Sequence, residues 1–264
     1  MNDRSGHEAP VVVMVTPKHD AVRWAAAYAD RRGSPLRILH VSPRVSTLVD
    51  ELRASYPGLP IDHRLVVEAI GDALIAESEH AHSIVLADSG EEVLDGESVV
   101  TAVSSLARCP VISVPPDAVW QDSAAPVIVG THHLERTPRK LEFAFAEADR
   151  LGTGVRLVRC TTSRRAADTT DDLDEVLAAL TARYPDVPVH SEVLGTSASS
   201  AMAWHAHFGS MVVLGSRRGG AVRGALFRSI SRAVLRHGSS PVVVIGRQAL
   251  RTSPVVSELG SARS

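Results

Sequence analysis

Hydrophobic positions along this chain fall into two runs built on one plan. Each opens with an apolar strand pattern, Pro10-Val-Val-Val-Met-Val15 and Pro126-Val-Ile-Val-Gly130. A helical stretch follows each, Asp20 to Arg32 and Thr137 to Leu151. Asp20 and Thr137 stand at N-cap positions, Pro138 at the first helical position, and Gly33 and Gly152 just past the ends, which is the punctuation expected of helices. Leu141, Ala144, Phe145 and Ala148 are spaced i, i+3, i+4, i+7 and predict one apolar stripe facing a sheet.

The parallel continues. Strands are predicted at 35–41 and 155–160, then polar helical segments that stop at Tyr56-Pro57 and Tyr184-Pro185. Strands at 61–67 and 187–194 lead to helices at about 71–82 and 198–208. Fourth strands occupy 83–87 and 211–215, last helices about 98–108 and 229–237, and final strands 110–114 and 241–245. The first of these last helices has Ser98 as its cap and a stripe of Val99, Ala102, Val103 and Leu106. Strands that are near-continuous Val/Ile/Leu runs, alternating with helices, predict parallel sheets covered on both faces. The expected fold is α/β: two tandem doubly wound domains, each a five-stranded parallel sheet of order 3-2-1-4-5. The boundaries are a flexible N-terminus at 1–9, a first domain at 10–115, a Pro/Ala/Asp-rich linker at 116–125, a second domain at 126–246 and a loose tail at 247–264.

The 264 residues are 44% apolar and 22% charged, with a formal net charge of −2. Each half is long enough to bury its own core. Near-neutral charge and 4% aromatic content argue against a general nucleic-acid surface or a base-stacking module. No apolar run approaches the roughly 18 residues of a membrane span, and Met1 to Ala9 lacks the apolar stretch of a secretory leader. Cys109 and Cys160 are too few for a disulfide framework and have no metal-ligand spacing. The reading is a cytoplasmic protein with no membrane and no nucleic-acid partner. Lys18 and Lys140 are its only lysines.

In open α/β sheets ligands bind beyond the carboxyl ends of the strands, where strand order reverses; here that is between the first and fourth strands. In the second repeat the fourth strand runs into Gly215-Ser-Arg-Arg-Gly-Gly-Ala-Val-Arg-Gly224-Ala-Leu-Phe-Arg-Ser229-Ile-Ser231. Its glycines let backbone wrap a bound group. Ser229 caps the last helix, whose free amides suit an anion. Arg217, Arg218, Arg223 and Arg228 add positive charge, with no acid between 215 and 237. The combination favours phosphate, and a plain surface connection stays open as the alternative.

The strand Val-Val-Leu-Gly-Ser-Arg, the glycine-bearing loop, Ser229-Ile-Ser231 and the ending Ser231-Arg-Ala-Val-Leu-Arg-His237 before Pro241-Val-Val-Val resemble the universal stress protein family, with both repeats fitting as a tandem two-domain member. The resemblance implies pairing along the last strand and, in some members, ATP binding through Gly-x2-Gly-x9-Gly-Ser/Thr. Laid on the second repeat, that motif falls on Gly215, Arg218, Arg228 and Ser229, so two motif glycines are arginine here. Gly219, Gly220 and Gly224 keep glycine in the loop. The family's Asp after the first strand falls on His132, which cannot reproduce a carboxylate's pair of acceptors. The first repeat departs further. Its loop from Asp88 to Ser98 carries Asp88, Glu91, Glu92, Asp95 and Glu97, which oppose a phosphate, so no ATP is expected there.

His80-Ala-His82 and His205-Ala-His207 are read as the same place in the two repeats, at the end of the third helix, where polar side chains satisfy carbonyls. Two-residue spacing does not make a zinc pair on a helix. His132-His133 lies beside the expected crevice. Cys160 is read as buried, and the acidic run Asp168 to Glu175 as a solvated helix start.

The leading functional reading is a stress-response sensor or regulator in which the second domain binds ATP, with Mg, or another phosphate-bearing ligand. Gly215, Arg217, Gly219, Gly220, Gly224, Ser229 and Ser231 would hold the phosphates, and Gly130, Thr131 and His132 would sit by the base. Binding would order the 216–228 loop and alter a surface for protein partners. The alternative is an interaction protein that keeps the fold with a degenerate site and binds no nucleotide. No catalytic or metal-binding residue stands out, so weak ATP hydrolysis is the most enzyme activity expected. Strands 111–114 and 242–245 would pair antiparallel across an internal pseudo-twofold, as an internal pseudo-dimer, and a homodimer through other faces stays open.

Overall fold

The computed structural model describes residues 8–15, 20–42, 44–88, 93–94, 97–116, 118, 124–131, 137–160, 171–215, 240–246 and 248–249. In chain order the N-terminal half contains β1 (Val11–Met14), α1 (Asp20–Arg32), β2 (Leu36–His40), α2 (Ser46–Ser55), β3 (Ile61–Leu65), α3 (Ile70–Glu77), β4 (Ser83–Ala87), the short strands β5 (Val93–Leu94) and β6 (Glu97–Ser98), α4 (Val99–Leu106) and β7 (Val111–Val114). The C-terminal half contains β8 (Val127–Thr131), α5 (Thr137–Leu151), β9 (Val155–Cys160), α6 (Asp171–Arg183), β10 (Val189–Leu194), α7 (Ala198–His205), β11 (Met211–Gly215) and β12 (Val242–Ile245).

Ten strands form one sheet in the order β10-β9-β8-β11-β12-β7-β4-β1-β2-β3. Neighbours are parallel within each half. The joint is antiparallel, with Val242 opposite Ser113, Val243 opposite Ile112 and Val244 opposite Val111. The last strands of the two halves thus cover each other's edge, which removes two exposed rows of backbone donors and acceptors. β5 and β6 form a separate antiparallel pair that the apolar pattern does not announce.

Burial explains why strands near the joint read as unbroken Val/Ile runs. Every residue of β1, β7 and β12 is buried, whereas the outermost strands β3 and β10 are mostly exposed or half-buried. One face carries a core continuous across both halves, in which α1, α2, α5 and α6 cover alternate strand residues such as Val13, Ile38, Val129, Leu157 and Val243. The opposite face holds two smaller cores, one under α3 and α4 and one under α7. The expected stripe of α5 is buried in full, Leu141, Ala144, Phe145 and Ala148 all at 0% exposure. The stripe of α4 is not: Val103 is buried, but Leu106 at its last position is 52% exposed.

The third helices stop earlier than their patterns suggest. α3 ends at Glu77 and α7 at His205, each followed by a turn. His80 and His82 therefore lie beyond α3, and the backbone N–H of His82 donates to Pro10 O across the start of the sheet. Among the described residues no helix is long and apolar enough to cross a membrane.

Candidate functional site

The strand pattern turns at β8 and β11. They are adjacent and parallel, with Val213 opposite Val129, so two residues further on Gly215 comes level with Thr131 at the carboxyl edge. Alternation along a strand sends successive side chains to opposite faces. A Cβ on Gly130 would meet Met202 Sδ at 2.8 Å and Leu214 Cδ2 at 3.0 Å, which places that direction on the α7 face. Thr131 and Gly215, one step on, face α5. The Thr131 hydroxyl is buried, and Oγ1 has no hydrogen-bond partner among the described residues.

A residue absent from the sequence-based site completes this notch. Lys140, in the first turn of α5, is 5% exposed. Its ammonium donates to Gly130 O at 2.7 Å. Its stem runs past Gly215, where an added Cβ would lie 3.2 Å from Lys140 Cδ and 3.9 Å from Nζ. Glycine at 215 is thus what leaves room for the lysine stem. The notch brings together a cation, a buried hydroxyl and two residues without side chains at the carboxyl ends of the two strands where strand order reverses. That arrangement can hold an anionic group close to backbone.

The N-terminal half has a notch at the same place, and its corresponding residues follow from the helix ends and strand registers. α1 and α5 both end at a glycine with positive φ, Gly33 at 75° and Gly152 at 64°, and counting back twelve residues pairs Ala21 with Lys140. Val11 and Val127 occupy matching rungs, as do Ser83 and Met211, so Met14, Val15 and Ala87 correspond to Gly130, Thr131 and Gly215. All four N-terminal residues are apolar. Ala21 is 1% exposed and Met14 6% exposed, and Val15 and Ala87 pack against the core on the α1 side. The two notches differ at every one of these positions.

Of the residues read from sequence, the structure describes Gly130, Thr131 and Gly215 and brings them together. His132, Arg217, Gly219, Gly220, Gly224, Ser229 and Ser231, with Arg218, Arg223, Arg228 and the 229–237 helix, lie outside the described residues. So do His133 and the side chains of the acidic segment 89–98.

His82 is not a helix cap but part of a buried cluster between the halves. Its Nε2 is 3.3 Å from Tyr28 OH and 3.5 Å from Glu147 Oε1, and Arg32 Nη1 bonds that same carboxylate. Phe143 stacks on the imidazole. Burial pushes the Glu147 carboxyl up, but the His82 hydrogen bond and the Arg32 charge outweigh it and hold the group below the usual carboxylate range. Burial holds His82 below the usual imidazole value. At the outer side of the C-terminal half, His205 Nε2 lies 3.1 Å from Glu192 Oε1, and burial lowers the imidazole against the pull of that carboxylate. Burial pushes the Cys109 thiol up to about 12 and also raises Cys160, so both are core hydrophobes rather than nucleophiles. Among the described residues no cluster of three His, Cys, Asp or Glu could hold a metal ion.

Comparison with known proteins bears on the fold. The universal stress protein family model matches residues 125–246. A universal stress protein of Mycolicibacterium smegmatis is 28% identical, the match covering 85% of this chain and 92% of that protein. One from Mycobacterium tuberculosis is 27% identical over 91% of this chain and 97% of its own length. Among solved structures, a universal stress protein of Archaeoglobus fulgidus superposes with a TM-score of 0.70 at 19% identity, covering 90% of this chain and 96% of that one.

Proposed function

We propose that this chain, whose residues 125–246 match the universal stress protein family model, is a stress-response regulator whose C-terminal half binds a phosphate-bearing nucleotide. The ligand sits in the notch between β8 and β11, with ATP and Mg2+ the first candidate. The observation that carries this reading is the chemistry of that notch. Thr131 presents a buried hydroxyl with no partner among the described residues, Gly130 and Gly215 leave the strand ends bare, and Lys140 supplies a cation at 2.7 Å from Gly130 O. Arg217, Gly219, Gly220, Gly224, Ser229 and Ser231 join the proposal as the phosphate-holding segment, and His132 as the neighbour of the base. Residues 10–115 and 126–246 act in it as tandem domains, the second carrying the ligand and the first, with its apolar notch, serving as a partner scaffold. No group in the described notch is placed to activate water, so binding rather than hydrolysis is the proposed activity.

Titrating the full chain with ATP, ADP and AMP while following thermal unfolding tests this. A ligand at a hundred times its Kd stabilises the folded state by about 2.7 kcal/mol, a rise of several degrees for a chain of this size. An unchanged melting temperature with all three at millimolar concentration overturns the proposal.

A further inference from the structure

Four positions around the strand-end notch differ in kind between the halves: Gly130, Thr131, Gly215 and Lys140 on one side, Met14, Val15, Ala87 and Ala21 on the other. One of those differences decides charge. Resting on the nucleotide reading above, but moving Thr131 from the base side, where the sequence places it, to the phosphate side, we propose that Lys140 sets the ligand specificity of the chain: its ammonium and the Thr131 hydroxyl together hold an anionic oxygen of a phosphate group, in the C-terminal half alone.

The geometry favours this in three ways. Lys140 is 5% exposed, so its charge acts where water does not screen it, and a charge at such a site discriminates strongly between neutral and anionic ligands. The side chain is located rather than free to wander. Nζ donates to Gly130 O at 2.7 Å, and the stem lies along Gly215, close enough that a Cβ there would approach Cδ to 3.2 Å. Finally, Thr131 Oγ1 is buried on the same face with no partner among the described residues, and a buried hydroxyl in that condition is completed by an incoming acceptor or donor. Ala21, at 1% exposure in the corresponding place, offers neither charge nor hydrogen bond, and Val15 replaces the threonine. One half is therefore built to take an anion and the other is not, although their backbones follow the same course.

Calorimetric titration of the full chain with adenosine, AMP, ADP and ATP, at low and high salt, tests the assignment in wild type, K140M and K140R. Wild type is expected to bind one nucleotide per chain, more tightly with each added phosphate and less tightly in salt. K140M should lose about 10- to 100-fold in affinity for ADP and ATP, the range for hydrogen bonds to charged groups, with adenosine little affected. K140R should recover most of the loss. Equal losses for adenosine and ATP in K140M would make the lysine a structural tie and overturn the inference while leaving the nucleotide reading intact. Equal wild-type affinity for adenosine and ATP would do the same without any variant, should K140M not fold. Two nucleotides per chain would overturn the restriction to one half. A wild-type chain that binds none of the four defeats the nucleotide reading, and this inference with it.

Discussion

Glu147 and Tyr28 correspond to one another, each five residues before the glycine that ends its helix, and they meet where α1 and α5 face each other. Glu147 is 1% exposed and collects Arg32, His82 and Tyr28 around one carboxylate. Burial and the nearby carboxylate raise the Tyr28 phenol well above its ordinary value, so the hydroxyl stays protonated. Removing the negative charge strands Arg32, whose side chain is only 11% exposed, and an unpaired buried charge costs more than the pair contributes. E147Q should lose about 3 kcal/mol of stability, read as a lower midpoint in urea at unchanged slope. The pH dependence has a definite sign. His82 and His205 both titrate below the ordinary imidazole value of about 6.5 in the folded chain, so the unfolded chain binds more protons in that window. Their contribution is complete above about 6.5 and is lost as pH falls. Glu147, also lowered, adds a loss in the same direction at lower pH. Thermal melts between pH 7.5 and 5.5 should show falling stability, with a shallower fall in H82Q and H205Q. A chain more stable at 5.5 would contradict the burial assigned to both imidazoles.

Elements that match between the halves carry the same contacts with different chemistry. Arg37 on β2 donates to Asp62 on β3 and to Glu77 at the end of α3, and Arg64 on β3 also reaches Glu77. The registers place Arg156, His190, Glu192 and His205 at the matching positions. Arg64–Glu77 thus becomes Glu192–His205, with the carboxylate now on the strand and its partner an imidazole whose charged form burial disfavours. The two His-Ala-His runs suggest that His205 matches His80, but the helix ends pair His205 with Glu77 instead. α3 and α7 each span eight residues, and no Gly or Pro after Glu77 marks the stop. Unbroken Val/Ile strands, the glycines after α1 and α5, and the glycine ends of β8 and β11 were legible because each reflects one local constraint. Lys140 was not picked out, yet it left a trace. Lys140 and Glu147 stand among Leu141, Ala144 and Ala148 on the buried side of α5, and a charge inside an apolar stripe marks a polar site in the core. Close approach between elements is equally invisible locally. A Cβ on Gly246, just past β12, would collide with the Ser104 carbonyl oxygen in α4. G246A should therefore destabilise by roughly 1–3 kcal/mol, seen as a lower melting temperature. An unchanged melt would mean that α4 and β12 are less tightly apposed than described.

At the scale of the whole molecule, the antiparallel joint makes two similar halves into one sheet, and the core on the α1/α5 face runs through it from Val11 to Val243 without interruption. Neither half buries its last strand alone. Without its partner β7 or β12 would be an apolar edge with unpaired backbone groups, the arrangement that invites aggregation. Stability should accordingly be shared, even though the proposed ligand chemistry is confined to one half. I112A truncates a 0%-exposed residue opposite Val243 and should cost roughly 3 kcal/mol, as large-to-small core changes do. The informative readout is where the loss registers. Native-state hydrogen exchange should show faster opening of amides in β8 and β9 as well as in β1 and β2, by similar factors, because the joint couples them into one cooperative unit. A loss restricted to β1 and β2 would mean that each half opens independently despite the shared sheet. The joint would then be a docking contact between separately stable halves, not the centre of a single core.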